Sequence, residues 1–225
     1  MNIERLGVSD IDIVQGPRRN SPHDGAEKRT LVIACGALAH EFLAVVRANG
    51  WTHMDITCLP AEWHLTPQKI PDGMRRKIRQ NREKYDEILC LFGDCGTAGA
   101  LDEVLRLERV ERIEGEHCYA FFTGLAEFDV LHEQEEGTLY LTDFLVRHFD
   151  RFVVRHFGLD RFPDLKPMIF GNFERIVYLA QMPSADLEAR AQAAATWIGL
   201  PLQIHTTGLG ELTRFLSRPA TASDN

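Results

Sequence analysis

Glu87-Ile-Leu-Cys-Leu-Phe92 runs straight into Gly93-Asp-Cys-Gly-Thr-Ala-Gly99. A short apolar run without alternation is the pattern of a strand buried on both faces. The Gly-rich turn behind it opens a helix that runs to about Leu107. The same grammar occurs upstream: Thr30-Leu-Val-Ile-Ala-Cys35 reads as a strand, Gly36 follows, and Leu38 to Ala48 carries helical spacing. Met54 to Leu59 is a second apolar run, stopped by Pro60, and Asp72 to Tyr85 reads as a helix with a basic exposed face. Val110 to Ile113 reads as a short fourth strand, followed by Gly115-Glu-His-Cys118 and an apolar helix from Tyr119 to Leu131.

Strands alternating with helical patterns predict an α/β fold with a mostly parallel, Rossmann-like sheet and flanking helices. The C-terminal half reads as helix-rich. Helices are expected over Leu139–Phe157, with Thr142 and Asp143 as caps, and over Asn172–Leu179 and Ala185–Ile198. Leu202 to Thr207 reads as a last strand, and Leu212 to Leu216 closes the fold. Residues 1–28 and 218–225 lack periodicity and read as flexible tails around a single α/β domain spanning 29–217.

The chain has 225 residues, 44% of them hydrophobic and 26% charged, which excludes a disordered or collagen-like chain. A net charge of -8 argues against a nucleic-acid groove. No apolar run approaches the ~18–20 residues of a membrane span, and Met1 to Asp10 carries acids without an apolar core. A cytoplasmic protein is the expectation. Five cysteines, odd in number and irregularly spaced, then read as thiols or metal ligands rather than disulfides.

Their placement is informative. Cys35 ends the first strand, His64 follows the second, Cys95 lies in the Gly-rich turn after the third, and Cys118 follows the fourth. Loops after the strands of a parallel sheet open on one edge, where ligands bind at a topological switch point. Four metal-ligand side chains can thus converge from distant sequence positions. Helix N-termini supply N–H groups and partial positive charge to thiolates. Gly36, Gly96 and Thr97 are candidates for cofactor contact at these turns, and Gly208, in Gly208-Leu-Gly210, for anion binding. Asp94 and His117 are candidates for a supporting acid–base role beside the ligands. Asp94 and Thr97 equally suit turn formation and capping.

A Cys3His set suits Zn²⁺, with sulfur at about 2.3 Å. Three cysteines also suit a [4Fe–4S] cluster with one free iron. The alternative is that the thiols pack as small hydrophobes, the role assigned to Cys58 and Cys90 inside their strands. No Walker loop, G-x-S-x-G or H-E-x-x-H is present.

With these residues in view, the chain resembles the family known as domain of unknown function 1638. The resemblance rests on Ala34-Cys-Gly-Ala-Leu38, His64 with Pro67, Gly93–Gly99, Gly115-Glu-His-Cys-Tyr119, Gly137-Thr-Leu-Tyr-Leu-Thr-Asp-Phe144, Phe170-Gly-Asn-Phe173 and Thr207-Gly208. Phe92 stands where the family usually has Tyr, and Leu65 where it often has Asn. The resemblance implies a place beside corrinoid proteins and their methyltransferases. Joined to the thiol set, it leads to the expectation of a zinc-binding component of cobalamin-dependent one-carbon methyl transfer. The acceptor would be a small thiol such as homocysteine, and cobalamin would arrive on a partner protein. The rival expectation is a non-catalytic accessory that binds a metal, a cluster or a corrinoid protein. Neither nucleic acid nor membrane is expected as a partner.

Overall fold

The computed structural model describes residues 11–15, 28–134 and 137–218. The expected fold class holds: two mainly parallel sheets, each with flanking helices, in two compact units. One unit comprises residues up to Phe121 together with those from Glu211 onward, and the other comprises Phe122–Gly210. The stretch 29–217, read as one domain, therefore spans both units. Much of the two presumed tails lies outside the described residues. Ile11–Gln15 is an exception, a strand (β1) inside the N-terminal stretch.

In the first unit, β2 (Thr30–Cys35), β3 (Met54–Leu59), β4 (Glu87–Leu91) and the two-residue β5 (Glu111–Arg112) join β1 in the order β1-β3-β2-β4-β5. Among the described residues of this sheet only the β1–β3 pair is antiparallel. All six residues of β2 are buried, as are all six of β3. That is why Leu31–Cys35 reads as an unbroken apolar run, while β3 also buries the polar Asp55 and Thr57. Helices α1 (Ala39–Asn49), α2 (Ile70–Asn81) and α3 (Ala100–Glu108) form the crossovers. Their apolar residues, among them Phe42, Val46, Met74, Ile78 and Leu101, are buried. Cys58 and Cys90 are buried within their strands, as expected. The chain leaves β2 for β3 on one side and then crosses to β4 on the other. A topological switch point thus falls between the C-terminal ends of β2 and β4, where a crevice forms in open parallel sheets.

The helix expected over Tyr119–Leu131 is broken into α4 (Ala120–Thr123) and α5 (Leu125–Gln134) by Gly124, whose φ of 94° no helix accommodates.

The second unit corrects two helix expectations. Thr138–Thr142 is a strand (β6) rather than the first turns of a long helix, and Arg175–Ala180 is a strand (β7) where Asn172–Leu179 read as helix. With β8 (Leu202–Thr206) they form a parallel sheet in the order β6-β7-β8. Ile176, Val177, Tyr178 and Leu179 are β-formers buried on both faces, a pattern that a short apolar helix shares. The expected cap at Thr142 is real but opens a short helix, α6 (Asp143–Arg147), through the Leu145 N–H. A π-helical turn over Asp150–Arg155 and α7 (Lys166–Phe170) follow. Helix α8 (Ala185–Ile198) has the expected bounds: Ser184 caps its start and Gly199, at φ 94°, ends it. Its Leu187, Ala191, Ala194 and Ala195 pack with Leu141, Ile176 and Tyr178. Helix α9 (Gly210–Leu216) returns the chain to the first unit.

Candidate thiol and imidazole site

Cys35 closes β2 with extended backbone angles, and its Sγ accepts a hydrogen bond from the Ala37 N–H at 3.4 Å. This caps the 3₁₀ turn Gly36–Leu38 and fixes the sulfur at the sheet edge. Gly36 is buried within that turn. Beyond β3, Pro60 ends the strand, and the 3₁₀ turn Ala61–Leu65 carries His64. His64 Nδ1 lies 3.0 Å from the Ala61 carbonyl and 3.7 Å from Cys35 Sγ. The ring stacks on Phe92, with centroids 5.6 Å apart and planes 16° apart. A proton on Nδ1 donates to Ala61, leaving the Nε2 lone pair for another partner, the arrangement common among metal-ligating histidines.

The turn after β4 is wound tightly. Cys95 and Ala98 have φ of 49° and 53°, and Gly96 and Gly99 both 82°. Left-handed conformations at non-glycine positions cost energy and persist only when neighbours hold them. Asp94 is the holder: Oδ1 accepts from Thr97 Oγ1 at 2.6 Å and from the Gly99 N–H at 2.8 Å, and Oδ2 from the Ala98 N–H at 3.1 Å. These bonds and the Arg112 charge hold the Asp94 carboxyl below its usual range, overcoming the partial desolvation that acts the other way. Thr97 in turn accepts from the Leu101 N–H at 3.3 Å and so caps α3. Asp94 and Thr97, expected beside the chemistry, thus organise the turn that presents Cys95. Gly96 needs its φ rather than the space, since a Cβ there would stand 3.7 Å from the nearest atom of Pro67.

Cys118 is brought in by a clamp between loops. The Cys95 N–H donates to the Glu116 carbonyl at 3.0 Å, and a Cβ on Gly93 would stand 2.8 Å from that same oxygen. The loops after β4 and β5 therefore lie against one another. Electrostatics registers the gathering. Burial pushes the Cys118 thiol well up, and the nearby Cys95 and Cys35 sulfurs push it further. Burial pushes Cys35 up to about 12 against the Ala37 hydrogen bond, with Glu41 and Glu62 adding to the rise. For His64, desolvation would lower the pKa, but the hydrogen bond to Cys95, the charge of that sulfur and the Ala61 carbonyl carry it above the usual value.

The structure thus brings Cys35, His64, Cys95 and Cys118 to one edge of the first unit. Their chemistry suits a thiophilic cation, although among the described residues no group of three or more His, Cys, Asp or Glu side chains stands at the spacing of a metal site. His117 is exposed, its ring centroid 6.4 Å from that of Tyr119. Gly208, at φ 70°, belongs to the other unit.

Sequence reading missed Glu41. It is 1% exposed and acts electrostatically on both Cys35 and Cys118. The signal was present: Glu41 interrupts the apolar stripe of Leu38, Phe42, Val45 and Val46 on α1, and a carboxylate inside such a stripe calls for a reason.

Fold and site together define a parallel α/β protein with a thiol-rich switch point. A sequence profile for the family "Protein of unknown function (DUF1638)" matches residues 58–216, and the chain belongs to that family. The match takes in His64, Cys95 and Cys118 and begins after Cys35. No curated protein and no solved structure matches the chain. No helix among the described residues is long and apolar enough to cross a membrane.

Proposed function

We propose that Cys35, Cys95 and Cys118, with His64 as fourth ligand or thiol-proton acceptor, hold a zinc ion, and that the protein serves cobalamin-dependent methyl transfer to a thiol. The observation that supports the metal reading is pairwise: Cys95 and Cys35 act electrostatically on Cys118, and Cys95 on His64, whose Nδ1 lies 3.7 Å from Cys35 Sγ, all at the strand ends beside the β2/β4 switch point. The Cys35 and Cys118 thiols, whose pKa values desolvation raises, stay protonated until a cation replaces their protons. His64, anchored through Nδ1 to Ala61, presents Nε2. Asp94 and the left-handed turn hold Cys95 in place.

When bound, zinc supplies Lewis acidity that keeps an incoming thiol as thiolate near neutral pH. In the transfer itself, the acceptor sulfur forms the S–C bond. Methylcobalamin on a partner would supply the methyl group and retain the electron pair of the broken bond, and His64 or solvent would take the thiol proton. The corrinoid part of this reading rests on the family resemblance.

The test pairs element-specific analysis of protein purified without oxygen with an assay of methyl transfer from methylcobalamin to homocysteine. The reading expects about one zinc per chain, and transfer that Cys95→Ala abolishes together with the zinc. Zinc without transfer moves the protein to an accessory role. Iron and sulfide in place of zinc moves it to the cluster reading. Neither metal above about 0.1 per chain refutes the centre.

A further inference from the structure

At the opposite edge of the first unit's sheet, where β2, β3 and β4 begin, lies a cavity of about 250 Å³. Strands of six residues put it roughly 20 Å from the cysteines, so it is independent of the proposed metal centre. Thr30 and Met54, both buried, line it together with Trp51, His53, Lys28 and Arg218. Glu87 is the carboxylate of the lining, and its Oε2 already accepts from Thr30 Oγ1 at 3.0 Å. Arg218 donates to Glu111 Oε1 at 2.8 Å through one of its nitrogens, which leaves other guanidinium N–H groups for the cavity. Trp51 and His53 stand side by side, with ring centroids 6.4 Å apart.

Lys28 and the guanidinium N–H groups of Arg218 that Glu111 leaves unused supply the cavity with charged donors, and the Glu87 carboxylate of the lining is already engaged by Thr30. An apolar ligand would have no use for these N–H donors, and neither Lys28 nor Arg218 can ligate a metal ion while it carries its proton. Arginine and lysine together are the usual partners of phosphate oxygens, and the Trp51 ring offers a flat surface to stack on. The volume lies below the ~300–1,000 Å³ of sites for drug-sized ligands, which limits the occupant to about one ring and one phosphate. We infer that the cavity bounded by Lys28, Trp51, His53 and Arg218 binds a small phosphorylated molecule with a planar ring.

The experiment is calorimetric titration of the full chain at low ionic strength with phenyl phosphate, inorganic phosphate and phenol. Phenyl phosphate should bind one per chain, inorganic phosphate several-fold more weakly, and phenol not measurably. Lys28→Gln and Arg218→Gln should each weaken phenyl phosphate about tenfold, the scale of one charge-assisted hydrogen bond. Glu87→Gln should strengthen it, and Trp51→Ala should bring it down to the affinity of inorganic phosphate. Thermal melts check that each variant folds, and Lys28 and Arg218 are exposed enough for their loss to be tolerated. Absence of saturable binding would overturn the inference. So would equal affinity for phenol and phenyl phosphate, or unchanged affinity in the Lys28→Gln/Arg218→Gln double variant.

Discussion

Gly93 and Glu116 meet backbone to backbone: the Glu116 carbonyl oxygen stands 2.8 Å from where a Gly93 Cβ would be, and it accepts the Cys95 N–H at 3.0 Å. Two loops that are distant in sequence are thereby locked together, and each carries one of the candidate sulfurs. Gly93→Ala cannot be absorbed by a side-chain rotation, because the obstacle is backbone. The variant is expected to lose about 1–3 kcal/mol of stability and to lose affinity for zinc at the same time. Urea denaturation and a zinc competition titration would check both. Full zinc affinity in a folded Gly93→Ala protein would dissociate the clamp from the site.

A second glycine acts on His64 from behind. A Cβ on Gly73 of α2 would fall 2.2 Å from Trp63 Cζ3 and 3.2 Å from Leu59 Cδ2. Trp63 precedes His64 in the same 3₁₀ turn, so Gly73→Ala must displace the Trp63 ring, that turn or the helix. A loss of about 1–3 kcal/mol is expected, with a change in tryptophan fluorescence. Trp63→Leu should recover part of it in a double-mutant cycle, since the two residues are in contact. Additive losses would show that the overlap is relieved elsewhere.

In the second unit, Asp143 is 0% exposed and joins the ends of β6 and β7. Its carboxylate accepts from Tyr178 Oη at 2.7 Å, from the Gln181 N–H at 3.2 Å and from the Met182 N–H at 3.0 Å, with Arg147 at 3.6 Å. Burial and the bond to Asp143 both push the Tyr178 phenol up, so it stays a donor at all ordinary pH values. Asp143→Ala would strand several buried donors and is expected to cost about 3–5 kcal/mol. Tyr178→Phe, which removes one donor and leaves the others paired, should cost about 1–2 kcal/mol. Equal losses in the two variants, measured by denaturation, would contradict the view that the carboxylate is the hub.

Asp94 supplies a pH signature. Its folded pKa lies below the usual value because its hydrogen bonds and Arg112 outweigh desolvation. A depressed carboxylate stabilises the fold above the unfolded pKa of about 3.9, and that contribution is lost as pH falls through the folded value. The difference in melting temperature between the wild type and Asp94→Asn should be full at pH 6–7 and shrink steadily below pH ~4. A difference that is constant down to strong acid would remove the charge from the explanation.

Much of the first unit was legible because its strands are buried on both faces. Thr30–Cys35 and Glu87–Leu91 have no competing reading once Gly36 and Gly93 end them. The shared edge was legible for the same reason: Cys35 ends a strand, and His64 and Cys95 each follow one, in a parallel sheet that must align those ends. The second unit was not, since Leu141, Phe144 and Leu145 fit a helical stripe and a strand-then-helix equally well. The join at Thr142, whose hydroxyl caps α6, is local chemistry that spacing alone does not reveal. Glu41 went unnoticed because the stripe on α1 was read for its apolar residues and not for the acid that interrupts it, whose burial places it by the thiols.

The most direct test of the metal claim is a titration of the reduced protein with Co²⁺, read by the thiolate-to-metal charge-transfer absorption that only sulfur ligation produces. The account predicts one equivalent per chain, a tetrahedral spectrum, displacement by zinc, and loss of the band in Cys35→Ala, Cys95→Ala and Cys118→Ala but not in Cys58→Ala. A titration without that band, or one that survives removal of all three sulfurs, would contradict it.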